Sequence, residues 1–246
     1  MTCAKSSVER SARGGTQLVP PSDTPEGLLS ALAGDLDIPV YAYIVTTIKT
    51  GPRPGYTLTQ TGSGPNFDGG RITLCTCKHR DRATISRFGR WDNVWVAGLT
   101  SKQDTPSRSL AYLMCVERFF LSQLDLWIAL GPHCRAAKSA SLSPIGDLYE
   151  PTPRPGSDPY DPANYQPPMV GHVHASIGGR HPWHDDIRQW GPNHQPHRLL
   201  LGQVNKSYQW PRTEMILRPG AIMGCSAHHK IYNSLRDFIN DLKVFP

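Results

Sequence analysis

Apolar and polar positions in this chain alternate in short runs, and most of the runs are bounded by glycine or proline. VYAYIVTTI (40–48) is β-branched and aromatic and lies between Pro39 and a Gly/Pro cluster, a pattern that predicts a strand. RITLCTC (71–77), VWVAGLTS (94–101) and SLAYLMCVERFF (109–120) read as three more strands, and HRLLLGQVNKSYQW (197–210) returns to strand character. Helical spacing is confined to three places. LLSALAG (28–34) suits one or two turns ending at Gly34, and LSQLDLWIAL (121–130) suits a helix closing at Gly131. SLRDFINDLKVF (234–245) carries Leu235, Phe238, Ile239 and Leu242 at helical spacing and predicts an amphipathic terminal helix. The strands follow one another too closely for regular crossover helices. The pattern therefore predicts an α+β fold: a single domain with a small curved mixed sheet or barrel and a C-terminal helix.

Punctuation divides the chain further. Residues 1–38 hold a Ser/Arg/Gly head and a PPSDTPEG turn cluster, and read as a flexible N-terminal extension. Residues 39–246 read as one domain, interrupted at about 132–196 by a Pro- and His-rich insertion with little periodicity. With 246 residues and 38% hydrophobic content, the chain can bury one sizeable core. No apolar run reaches the about 18 residues of a membrane span, so no membrane role is expected. The N-terminal residues lack the apolar stretch of a secretory signal, and the six cysteines then read as reduced thiols; a cytoplasmic location is expected.

The net charge of +6 favours an anionic partner, of which nucleic acid is the commonest. The charge is densest just after the second strand, where Lys78, Arg80, Arg82, Arg87 and Arg90 stand against the single acid Asp81. Side chains of that composition fix position on a phosphate backbone rather than read sequence. Trp91 and Trp95 follow, and a tryptophan beside a basic run suits base stacking, although a strand tryptophan more often lies in a core.

On a strand, Cys75, Cys77 and His79 share one face, which invites zinc. Structural zinc sites need a second ligand pair, and neither His172/His174 nor His228/His229 has the context for one. Core cysteines are the simpler reading, and no metal or cofactor is expected. The preceding GSGPNFDGG enters a strand and lacks the Gly-Lys-Ser/Thr of a phosphate loop, so it is neither a P-loop nor a dinucleotide fingerprint. It reads as tight turns, or as a pocket wall in which Gly69 and Gly70 let the backbone approach a ligand. HPWHDD (181–186) reads as a polar loop.

In order and spacing, YAYIVTT, GPNFDGGRITLCTCK, VWVAGLTS and SLAYLMCVERFFLSQLDLW resemble the nucleotide modification associated domain of the second type. Pro65, Asn66, Gly69, Gly70, Thr73, Leu74, Cys77, Lys78, Arg82, Trp95, Gly98, Tyr112 and Trp127 match that family's pattern, and Tyr208 and Trp210 match its late aromatic pair. Asn93-Val94 stands where the family has Gly-Asp, and His79 where it has Pro. The resemblance covers residues 40 to about 245. It implies association with bacterial or phage systems that modify DNA bases or act on modified ones, including phage defence. A looser likeness is to PUA-like barrels, which hold an extruded or modified base in a pocket.

The resulting expectation is a DNA-associated protein that recognises or helps to process modified, hypermodified bases. Its partners would be DNA and base-modifying or restriction enzymes. Lys78, Arg80 and Arg82 would hold the backbone, while Asn66, Thr73 and one of Trp91, Trp95 or Trp210 would meet the base. The alternative is an enzyme that transfers or removes a group on a nucleotide or base, with Cys77 as nucleophile and His79 as base. Cys77→Ser separates the two, because it abolishes turnover and spares binding. A small-molecule or protein-interaction module is a third reading, favoured if nucleic acid binds only weakly and without preference.

Overall fold

The computed structural model describes residues 18–51, 54–60, 64–75, 91–101, 107–139, 148–167, 174–176, 179–181, 183–188, 197–219, 221 and 229–246. In chain order the strands among them are β1 (Val40–Val45), β2 (Ile48–Lys49), β3 (Thr59–Gln60), β4 (Thr73–Leu74), β5 (Trp95–Thr100), β6 (Leu110–Phe120), β7 (His174–Ser176), β8 (Gly179–His181), β9 (Leu199–Gln209), β10 (Met215–Leu217), β11 (His229–Tyr232) and β12 (Leu242–Val244). The helices are α1 (Pro25–Ala31), α2 (Gln123–Ala129), α3 (Pro132–Lys138), α4 (His184–Arg188) and α5 (Leu235–Asn240).

Local chemistry places the helix starts. The Thr24 hydroxyl accepts from Gly27 N ahead of Pro25, Ser122 accepts from Asp125 N, and Ser234 accepts from Asp237 N. Each satisfies a backbone donor that the first turn leaves without a partner. Helix α3 begins at Pro132, whose fixed φ suits a first turn and whose missing N–H costs nothing there.

Six strands form one mixed sheet in the order β11-β1-β5-β6-β9-β4. β1 and β5 are parallel, and the other pairs are antiparallel. The β6–β9 ladder jumps from Met114↔Ser207 to Val116↔Gly202, so Gln203–Lys206 bulge out of β9. A bulge bends its strand and increases the local twist, and this one curls the sheet into a half-barrel. Side chains hold the bulge in place: Lys206 pairs with Asp35 at 2.7 Å, and Gln203 Nε2 donates to Asn93 Oδ1 at 3.2 Å. An isolated bridge, Ser109↔Ile216, joins the small β10–β12 sheet to the start of β6.

All six residues of β1 and of β5 are buried, because both faces of the sheet are covered. One face carries Val40, Ala42, Ile44, Trp95, Ala97, Leu99, Leu113 and Cys115 under α1 and α5. The other carries Tyr41, Tyr43, Val45, Val94, Val96, Tyr112, Met114, Ile72 and Leu74. Around the curl Cys75, Leu199, Leu201 and Phe120 pack with Leu126, Leu130 and Cys134 of α2 and α3.

The expected α+β fold, its small curved mixed sheet and its C-terminal helix are therefore present. Three parts differ from the sequence reading. Within residues 1–38, read as a flexible extension, Pro25–Ala31 form α1 and Leu28, Leu32 and Leu36 are buried in the core. The terminal helix stops at Asn240, and Leu242–Val244 turn into a strand antiparallel to Met215–Leu217. Leu242 suits either conformation, and pairing with β10 decides between them. The segment after Gly131, expected to be irregular, opens with helix α3. Among the described residues no helix is long and apolar enough to cross a membrane.

Candidate functional site

Asn66 and Thr73 lie seven positions apart and face each other across the turn that enters β4. Asn66 N donates to Thr73 O at 2.9 Å and Thr73 N donates to Asn66 O at 3.1 Å. Bridge partners place their side chains on one face. For Thr73 that face is shared with Cys75 and lies toward α2 and α3, since Ile72 and Leu74 point to the opposite core. The reversal between them requires glycine. Gly69 and Gly70 both have φ +74, and a Cβ on Gly69 would lie 2.9 Å from Cys134 Cα. The close approach that Gly69 allows is thus to the backbone of α3, whereas the sequence had left these glycines open as tight turns or as a pocket wall approaching a ligand.

The center of the site is Lys138, the last residue of α3, with no exposed surface. Its Nζ donates to Asn66 O at 2.8 Å and to Asn66 Oδ1 at 3.2 Å. Asn66 Nδ2 donates in return to Lys138 O at 3.4 Å, and Asn66 Oδ1 also accepts from Asp68 N at 2.9 Å. Both ends of the Asn66 amide are therefore engaged within the protein, and it clamps a lysine rather than facing a ligand. The Thr73 hydroxyl, buried on the same side, has no hydrogen-bond partner among the described residues. Among those residues no carboxylate forms an ion pair with Lys138. Burial lowers the lysine pKa to about 8, opposed by the weaker pull of Cys134, Asp68 and Cys75. Burial also pushes the Cys134 thiol up. The dipole of α3 favours the cation at this helix end.

A lysine whose folded pKa is depressed makes the folded state bind fewer protons than the unfolded chain in the window above that pKa. Stability then rises with pH between about 8 and the ordinary lysine value of 10.5, and below the window the cost of burying the charge is fully present. Wild type is expected to gain roughly 1–3 kcal/mol on Lys138→Met across that window. Urea unfolding of both proteins at a series of pH values measures the difference. A constant difference would mean that Lys138 carries no depressed pKa.

Across the sheet from this clamp lies an aromatic ladder, and Phe67, next to Asn66 in the turn, reaches it. Phe67 meets Tyr112 edge-on at 5.6 Å, Tyr112 meets Tyr43 at 6.2 Å, and Tyr43 stacks on Tyr41 at 5.8 Å. Tyr41 then contacts Trp91 at 5.5 Å and His229 at 5.4 Å. Gly98 makes the crossing possible. It pairs with Tyr43 on one side and Tyr112 on the other, and a Cβ there would lie 2.1 Å from the Tyr112 ring. Over that glycine the two rings tilt together, and Tyr112 OH donates to Tyr43 OH at 2.7 Å.

The expected residues are thus divided. Asn66 and Thr73 are brought together. Trp91 joins the ladder, buried at 1% exposure. Trp95 and Trp210 lie on the opposite face, in the core under α1 and α5, where Trp95 stacks with Tyr208 and Trp210 Nε1 donates to Ser22 O. With exposures of 0% and 1%, neither ring has a face open to a base in this structure. Cys77, Lys78, His79, Arg80 and Arg82 fall outside the described residues. The polar loop expected at 181–186 is the start of α4 in part, with Trp183 stacked on Tyr149 at 5.6 Å.

Sequence reasoning missed Lys138, Tyr41, Tyr43 and Phe67. A lysine near a helix C-terminus ordinarily reads as a solvated cap, and nothing in PHCRAAKS marks it as buried. The tyrosines had a signal, since Tyr41 and Tyr43 alternate on one strand and Gly98 interrupts another.

No protein-family model matches the chain, and the searches found no similar curated protein and no similar solved structure.

Proposed function

We propose that this protein binds nucleic acid and uses the aromatic ladder of the half-barrel to recognise, or to help process, a modified base. The ladder is the observation that carries this reading. Three tyrosines and a tryptophan line one sheet face, two phenolic hydroxyls meet among them, and a partly exposed phenylalanine caps the outer end. An extruded base is held by stacking on such rings and by hydrogen bonds to its edge. Strand β4, whose neighbouring turn carries that cap, runs on into the segment with Lys78, Arg80 and Arg82, which supplies backbone charge. The net charge of +6 and the resemblance to the nucleotide modification associated domain point the same way. Partners of this reading are DNA with modified bases and the enzymes that install or restrict them.

Gly98→Ala tests the ladder without touching the basic run. The added methyl displaces the Tyr112 ring and separates the tyrosine hydroxyls, at a stability cost of about 1–3 kcal/mol. Preference for an oligonucleotide with a hydroxymethylated pyrimidine over its unmodified match is expected to fall toward unity in fluorescence titrations, while the salt dependence stays as in wild type. An unchanged preference would remove the ladder from base recognition.

A further inference from the structure

A primary amine and a carboxamide meet inside this protein with water excluded. Lys138 has no exposed surface and Asn66 has 3%, and the two are 72 positions apart in the chain. Nζ lies 3.2 Å from Asn66 Oδ1. The amide carbonyl bond is about 1.2 Å long, so Nζ stands no more than about 4.4 Å from Cγ. Reacting atoms at about 3–3.5 Å are poised for attack, and a shift of about 1 Å supplies the difference. The shift is guided, because a second N–H of the amine is tied to Asn66 O at 2.8 Å. The far side of the pair is fixed as well: the turn presses on α3, where a Cβ on Gly69 would lie 2.9 Å from Cys134 Cα.

We propose that Lys138 and Asn66 condense into an isopeptide bond: Nζ attacks Cγ of the Asn66 side chain, ammonia leaves, and a new amide joins the end of α3 to the turn before β4. The step needs no oxidant and no cofactor. The neutral amine uses its lone pair to form the Nζ–Cγ bond, and the carbonyl electrons move onto Oδ1. Asp68 N–H, already 2.9 Å from Oδ1, stabilises the charge that develops there. One proton then passes from Nζ to Nδ2, the Cγ–Nδ2 bond breaks, and the carbonyl reforms. The Thr73 hydroxyl is the relay for that proton. It is buried, faces the same side as Asn66 and has no hydrogen-bond partner among the described residues.

Burial supplies the reactive form of the amine. It lowers the pKa to about 8, against the pull of Cys134, Asp68 and Cys75 and with the help of Arg71. About a tenth of the amine is then neutral at pH 7, where an ordinary lysine is almost wholly charged. In the linked protein this nitrogen no longer titrates, so the rising pH profile of stability described above belongs to the chain before it condenses. The link closes a long loop and pins β4, which pairs with β9 through two residues only. It is independent of the nucleic-acid reading.

Mass spectrometry of the full-length protein tests the bond. The intact mass of wild type is expected to be lower than that of its sequence by one ammonia. Proteolysis should release a branched peptide holding both Asn66 and Lys138. A cut made between those two positions should leave the pieces joined under denaturing conditions with a thiol reductant, which removes any disulfide. Asn66→Ala and Lys138→Arg should each show the full mass and separate pieces. Should neither variant fold, the wild-type peptide map decides alone. The full sequence mass in wild type overturns the proposal. So does a lost ammonia on a linear peptide, which would mean that Asn66 has cyclised onto Phe67 N. Thr73→Val is expected to be incompletely linked on isolation; complete linkage there rejects Thr73 as the relay.

Discussion

Trp95→Ala is expected to lower the free energy of unfolding by about 3–5 kcal/mol, a large share of the roughly 5–15 kcal/mol that holds a domain together. Trp95 opens β5, pairs with Val40 on one side and Cys115 on the other, and stacks on Tyr208 with no exposed surface. Its removal leaves a cavity at the junction of the parallel and antiparallel ladders, where the fixed sheet limits collapse. Urea unfolding measures the loss. Under conditions where the variant is still folded, its affinity for nucleic acid should match wild type, because the ring lies on the face away from the ladder. A stability change below about 1 kcal/mol together with lost binding would return Trp95 to the role its sequence context first suggested.

The second large effect is on binding. Arg80→Glu combined with Arg82→Glu is expected to weaken affinity for any oligonucleotide by about tenfold or more, and to lower the slope of log affinity against log salt by about 2. Both residues lie outside the described part of the structure, so the expectation rests on sequence: five basic residues stand against one acid between Lys78 and Arg90. Binding isotherms at several salt concentrations separate the outcomes. Unchanged affinity would make this run an ordinary solvated segment, and the source of phosphate contact would have to be sought elsewhere on a chain of net charge +6.

The strands of the central sheet were legible because their residues are β-branched or aromatic and their ends are marked by glycine and proline. VYAYIV and WVAGLT form β1 and β5 as the pattern predicts. The curl was not legible in the same way. It comes from the Gln203–Lys206 bulge, three polar residues and an exposed valine inside a run that otherwise reads as one strand. Strand β12 was lost to a competing period, since Leu242 fits a helical repeat as well as it fits pairing with Leu217. Asn66 and Thr73 were singled out for base contact. Their proximity follows from the double-glycine turn, but the buried amine of Lys138 takes the Asn66 side chain, and burial of a distant lysine leaves no trace in local pattern. Two of the three tryptophans considered for stacking belong to the core beneath α1 and α5. The aromatic residues now proposed for that task sit at alternate positions of β1 and opposite Gly98, a relation that appears only once the strands are paired.

The proposed function is tested most directly by binding to matched DNA oligonucleotides, one unmodified and one carrying a hydroxymethylated or larger pyrimidine, each at low and at high salt. The account predicts tighter binding to the modified strand and a preference that persists at high salt, because stacking and edge hydrogen bonds in an apolar site are screened far less than phosphate contacts. Equal affinity for both strands, falling steeply with salt, would reduce the protein to a basic surface and contradict the claim that its tyrosine ladder reads a base.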